Sequence, residues 1–278
     1  MRLIDTHLHL IYRDWAPYGW TAGAPALATG DFTLEDAQAL YGGAVAGSIF
    51  MEVGVEDDRY QDEARRVGAM IRDGRLLGQI ASCRPETEAG FADWLEEAEG
   101  LGVVGYRRIL HVVPDEVSLS ETFKANIRRI GAKGRVFDMC YLARQLPLAL
   151  MLARACPDTF FVLDHCGVPD VAGGGLDPWR ADMTALAGLP NIAVKMSGIT
   201  AYAGDKGAAA VLPYIDHIIA AFGTTRVVWG SDWPVVNLGA GMVDWIAMTR
   251  TVLGRLSESE QAAIAHGNAE RIYKVRLA

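Results

Sequence analysis

The sequence predicts an α/β protein, a single-domain (β/α)8 TIM barrel spanning residues 1–278. Three observations predict it. Eight short apolar runs turn polar at their C-terminal ends, helical patterns fill the gaps, and the polar ends recur about every 25–43 residues. One βα crossover unit takes ~30 residues, and eight in succession make a barrel of ~250. Near-continuous apolarity suits parallel strands covered on both faces. The competing architecture is an open doubly wound sheet, but no G-x-G-x-x-G follows the first run.

In chain order, the strand-like runs are 3–10, 45–53, 76–83, 103–110, 136–141, 160–166, 192–197 and 227–230. Helical patterns occupy 57–72, 91–99, 119–130, 148–155, 179–186, 208–222 and 242–253. The first of these sets Tyr60, Ala64, Val67 and Ile71 on one stripe. Thr33 with Asp36, and Ser257 with Glu260, have the spacing of helix-capping boxes. The glycines at 173–175 lack a following Lys-Ser/Thr, so they form no phosphate loop.

Composition excludes several classes. The 26 Lys and Arg face 34 Asp and Glu, a net charge of −8, which disfavours a nucleic-acid partner. Glycine, at 30 of 278 residues, exceeds the usual ~7%, so tight connections are expected. No stretch supplies the ~20 apolar residues of a membrane span. The N-terminus meets a charge at Asp5 before any long apolar region, unlike a secretion signal. Cys83, Cys140, Cys156 and Cys166 are dispersed without C-x-x-C spacing. They read as free buried thiols in a reducing, cytoplasmic compartment. No oligomeric state is assigned.

The active site of such a barrel lies at the C-terminal strand ends. Those ends carry Asp5, His7 and His9; Glu52; Arg107, Arg108 and His111; Asp138; Asp164 and His165; Lys195 and Ser197; and Ser231, Asp232 and Trp233. Alternation aims His7 and His9 the same way, at a spacing of about 6–7 Å that one metal ion can bridge. With His165 and Asp232 they make an N/N/N/O set suited to zinc. The competing readings are two hydrogen-bonded strand-end histidines and a turn-capping Asp232.

Parity puts Arg107 on one face with Ile109 and His111, and Arg108 on the other. Arg107 is the candidate to bind a carbonyl or carboxylate, or else to pair with Glu52 or Asp138. Lys195 has the same ambiguity. Glu52 accepts a substrate hydroxyl or serves as the Arg107 counter-ion. The expected substrate contacts are Glu52, His111, Lys195 and Trp233. His217 and His266 read as structural, and Cys166 as a packed thiol. Trp15, Tyr18 and Trp20 either roof the pocket or pack within their own loop.

These residues resemble the amidohydrolase superfamily, in particular its amidohydrolase-related TIM-barrel branch of sugar lactonases and pyrone-dicarboxylate hydrolases. The matching pieces are IDTHLH at 4–9, GYRR at 105–108, LDHCG at 163–167, DPW at 177–179, KMSG at 195–198, GSDWP at 230–234 and GNAERIY at 267–273. They run in order over essentially the whole chain. The resemblance implies that His7, His9, His165 and Asp232 hold a divalent ion such as zinc, and that Arg107 is the strand-four arginine. Catalysis is expected from Asp232, His165 and Arg107. There are departures. Strand five has no His or Lys to bridge two metals, Val168 replaces a common Lys, and Glu52 replaces a common Gln.

The expected reaction is hydrolysis of a cyclic ester, a sugar aldonolactone such as L-fuconolactone. Asp232 activates the water, and the carbonyl is polarised by a metal or directly by His and Arg. Metal-independent turnover stays open. One alternative is hydrolysis or decarboxylation of a small carboxylated substrate. Another is a non-catalytic carbohydrate-binding barrel.

Overall fold

Eight strands pair in parallel in the order of the chain: β1 (Leu3–Leu8), β2 (Val45–Met51), β3 (Gly78–Ser82), β4 (Val103–Ile109), β5 (Val136–Cys140), β6 (Phe161–Leu163), β7 (Ile192–Met196) and β8 (Val227–Trp229). They come from a computed structural model that describes residues 2–277, apart from the side chain of Ala208. The barrel closes where β1 meets the segment after β8. Leu8 bridges Trp233, the His9 N–H donates to the Trp233 carbonyl at 2.9 Å, and the Asp232 N–H donates to the His7 carbonyl at 2.8 Å. This closure brings the first and last polar strand ends together.

The helices are α1 (Leu34–Tyr41), α2 (Tyr60–Arg72), α3 (Phe91–Glu99), α4 (Glu121–Ala132), α5 (Leu146–Ala155), α6 (Trp179–Ala187), α7 (Leu212–Phe222), α8 (Met242–Leu253), α9 (Glu258–Ala262) and α10 (Asn268–Tyr273). Both expected capping boxes form, at Thr33–Asp36 and Ser257–Glu260. Each such cap is worth about 1 kcal/mol. No described helix is long and apolar enough to cross a membrane.

Two strands end earlier than their apolar runs. β6 stops at Leu163 because His165, Cys166 and Val168 take left-handed φ of 54°, 54° and 45°. β8 stops at Trp229, and Asp232 has φ 58°. The polar residues here sit on strained turns rather than on strand, which aims them differently from simple alternation. α7 starts at Leu212, not 208, because a 3-10 turn at Ala208–Val211 precedes it.

The barrel lumen is stratified. Ile4, Ile49, Ile80, Val136, Val162, Ala193 and Val228 form an apolar layer, closed from below by Ile272 and Tyr273 of α10. Alternation then stacks polar residues above it. Asp138 and Cys140 rise from Val136, Asp164 from Val162, and Lys195 and Ser197 from Ala193. A larger apolar cluster fills the space between the barrel and its helices. The four cysteines are free and buried.

Candidate active site

Asp5 sets the seam where the barrel closes. Its Oδ1 accepts from the backbone N–H of His7 (3.0 Å) and of Ser231 (2.8 Å), and Oδ2 accepts from the Tyr41 hydroxyl (2.8 Å). One buried carboxylate thus ties β1 to the turn carrying Asp232. His7 and His9 are brought edge to face, ring centroids 4.8 Å apart, and His165 lies 4.5 Å from His7. Asp232 Oδ1 stands 3.5 Å from His7 Nε2 and 3.4 Å from His9 Nε2, and Oδ2 is 3.9 Å from His165 Nδ1. The next turn starts behind Pro234 without a side-chain cap, so Asp232 faces the imidazoles and caps no helix.

The four expected metal ligands do not form one mutually close set. His7, His9 and Asp232 make an outer trio, and His165 groups instead with His7 and Asp164. Asp164 was visible at a strand end but carried no expected role. The reason is geometric: the left-handed turn at His165 rotates its ring toward Ser197, whose Oγ is 3.1 Å from Nδ1.

The outer trio fits a divalent ion. His9 Nδ1 donates to the Met51 carbonyl at 3.1 Å, which leaves the Nε2 lone pair facing Asp232. His7 Nδ1 faces Asp164 Oδ1 at 3.4 Å, the carboxylate–histidine arrangement that readies Nε2 as a ligand. Among the described residues, no hydrogen bond is donated to the Asp232 carboxylate. Two imidazoles and a carboxylate are the donor chemistry of zinc sites with an open coordination position.

His9, Asp232 and His165 lie at the floor of a cavity of about 440 Å³, and His7 is fully buried behind them. Glu52, Arg107 and His111 line it, and Lys195 and Trp233 do not. Lys195 is fully buried in the layer below, paired with Asp138 and Asp164. Trp233 is on the closing bridge and packs against Phe32, centroids 5.6 Å apart. Both differ from the expected placement: each is buried away from the cavity surface. Of the three loop aromatics only Trp20 lines the mouth, its indole N–H donating to the Val53 carbonyl at 2.7 Å. Tyr18 is fully buried, and Trp15 stacks on Tyr12. His217 and His266 lie on outer helices, bonded to Arg180 and Glu270. Cys166 is packed, and burial pushes its thiol up to about 12.

Arg107 is not the only arginine in the cavity. Arg108 and Arg84 line it too. Each has its own carboxylate. Arg107 Nε donates to Glu52 Oε1 at 2.6 Å, Arg108 Nη2 lies 2.7 Å from Glu86, and Arg84 Nη2 lies 2.6 Å from Asp57. Arg107 also places Nη1 3.3 Å from His7 Nε2, at the centre of the site.

Burial disfavours the charged form of His7, His165 and His111. It pulls His7 well below the usual imidazole range and lowers His165. At His111, burial first and Arg107 second bring the value to about 4. As pH falls below ~6.5 the unfolded chain therefore takes up protons before the folded one, so stability is lost between about 6.5 and 4. Each such histidine contributes up to about 1.4 kcal/mol per pH unit. Denaturant melts at pH 7, 6 and 5 should show this decline. His111→Gln should flatten it, and an unchanged slope in that variant would contradict the depressed His111.

The amidohydrolase family model matches residues 4–275. The chain belongs to the amidohydrolase family. This amidohydrolase is 27% identical over 287 residues to the L-fucono-1,5-lactonase of Burkholderia multivorans, covering 97% of this chain and 95% of that one. It is 35% identical over 144 residues to the L-fucono-1,5-lactonase of Burkholderia ambifaria, half of each chain. A solved amidohydrolase from Burkholderia multivorans with bound zinc superposes at TM-score 0.87 and 27% identity, over 99% of this chain and all of that one.

Proposed function

We propose that this amidohydrolase hydrolyses a neutral sugar lactone, an aldonolactone of the L-fucono-1,5-lactone kind. The lactonase names of two relatives support the reaction class. One observation carries the substrate class: all three cavity arginines are already paired with carboxylates, while Asp232 adds a further negative charge at the floor. A substrate carboxylate would find no uncompensated cation there and would be desolvated beside Asp232. A neutral polyol meets acceptors in Glu52 and Asp57.

Water held at the Asp232 carboxylate attacks the lactone carbonyl as Asp232 takes its proton. Arg107 and His165, which both line the cavity, are the groups that would stabilise the charge gained by the carbonyl oxygen. The ring C–O bond then breaks, and Asp232 returns the proton to the departing ring oxygen, giving the open hydroxy acid. His7, His9 and Asp232 would hold a divalent ion, which when bound would supply Lewis-acid polarisation of the carbonyl.

Proton release from a lactone panel tests this. Neutral aldonolactones should exceed dicarboxylate lactones in kcat/KM by at least about tenfold, a difference of ~1.4 kcal/mol in transition-state binding. Chelation should abolish turnover, and zinc should return it. A preference for the dicarboxylates would replace the substrate reading. Tight binding of aldonolactones without turnover would make the protein a sugar-binding barrel.

A further inference from the structure

Below the outer trio, the chain supplies a cation of its own. Lys195 Nζ lies 3.1 Å from Asp164 Oδ1 and 3.2 Å from His7 Nδ1, donates to the Thr6 carbonyl at 3.2 Å, and is ion-paired with Asp138. The Tyr273 hydroxyl, rising from α10, donates to both Asp138 oxygens at 3.1 and 3.0 Å. Lys195, Asp138 and Asp164 are all fully buried.

This ammonium stands inside the second of the two ligand groups. His7 faces both groups, presenting Nδ1 to Asp164 and Nε2 to Asp232. An ion bonded to both Asp164 Oδ1 and His7 Nδ1 would sit ~2.0–2.2 Å from each. Lys195 Nζ is already 3.1–3.2 Å from those same two atoms. Such an ion could therefore lie no farther than about 4 Å from the ammonium, where like charges in a dry lumen repel with little screening. Two buried carboxylates need a counter-charge, and here side chains provide it: Lys195 stands against both, and Arg107 Nη1 lies 3.5 Å from Asp164 Oδ2.

We propose that the Lys195 ammonium is a resident cation that takes the place of a second divalent ion, limiting the protein to one metal at His7, His9 and Asp232. Lys195 is thus a positioning residue: through Asp164 it holds His7 with Nε2 toward the outer trio. The proposal is independent of which lactone is hydrolysed.

Metal counting tests it. Wild type, Lys195→Ser and Lys195→Arg are stripped with chelator, loaded with excess zinc, desalted and analysed by mass spectrometry for zinc per chain. Cobalt loading, read by visible absorption, reports whether the ions sit on imidazole and carboxylate. The expected result is at most one ion in wild type, the same number in Lys195→Arg, and one more in Lys195→Ser. Two ions in wild type would overturn the proposal, as would a folded Lys195→Ser with no additional ion. If Lys195→Ser does not fold, Lys195→Ser/Asp138→Asn removes the charge imbalance and keeps His7, Asp164 and His165. It too should gain an ion, and no gain overturns the proposal.

Discussion

Turnover in Asp232→Asn should fall by about 10²–10⁴-fold, the usual contribution of a positioned acid–base group. That corresponds to roughly 3–5 kcal/mol of barrier. The amide keeps the shape of the side chain but cannot take a proton from water. Stability should change little. The Asp232 side chain receives no hydrogen bond from the described residues, and its left-handed φ of 58° is one that Asn also tolerates. The backbone bonds at the barrel seam, from Asp232 N–H to His7 and from Val236 N–H to the Asp232 carbonyl (each 2.8 Å), do not involve the side chain. Steady-state kinetics beside a thermal melt separate the two effects. A variant within threefold of wild-type kcat would remove Asp232 from the chemistry. One that lost both activity and several degrees of Tm would make it a structural residue.

The strands were legible because parallel barrel strands are buried on both faces and become polar only where they reach the site. His7, His9, His165 and Asp232 announced themselves that way, since a charge at the end of an apolar run needs a reason. Depth was not legible. Parity from Ala193 does aim Lys195 inward, but β7 pairs Lys195 with Val228 of the apolar layer, one level below the cavity floor. That level is a property of the register between strands, which a single strand's pattern does not contain. Arg84 was missed for another reason. It follows β3 on a loop without periodicity, and its partner Asp57 is 27 residues away. Arg108 shares the cavity with Arg107 despite opposite parity, because β4 ends at Ile109 and the mouth is wide enough to receive both. α1 has little periodic signal, and only its cap at Thr33 and Asp36 marked it.

Gly198→Ala should damage both the stability and the chemistry, because this glycine is the wall against which the site is packed. It follows β7 and Ser197 with φ 61° and ψ −16°, a left-handed conformation that costs an alanine about 1–2 kcal/mol. A Cβ there would stand 2.4 Å from His165 Nδ1 and 2.6 Å from Asp232 Oδ2. Neither neighbour can yield freely. His165 sits on a strained turn of its own, and Asp232 is held by the closing hydrogen bond to His7. Overpacking of this kind adds about 1–3 kcal/mol, so a total loss of about 2–5 kcal/mol is expected. A misplacement near 1 Å costs about 10²-fold in rate, and here it would fall on Asp232 and His165 together. Gly74→Ala is the control. Its φ is 72° with nothing within 4 Å of the added carbon, so it should lose stability through backbone strain alone and keep its kcat. If the two variants lost activity equally, the close packing of Gly198 on the His165–Asp232 pair would not be what the reaction depends on.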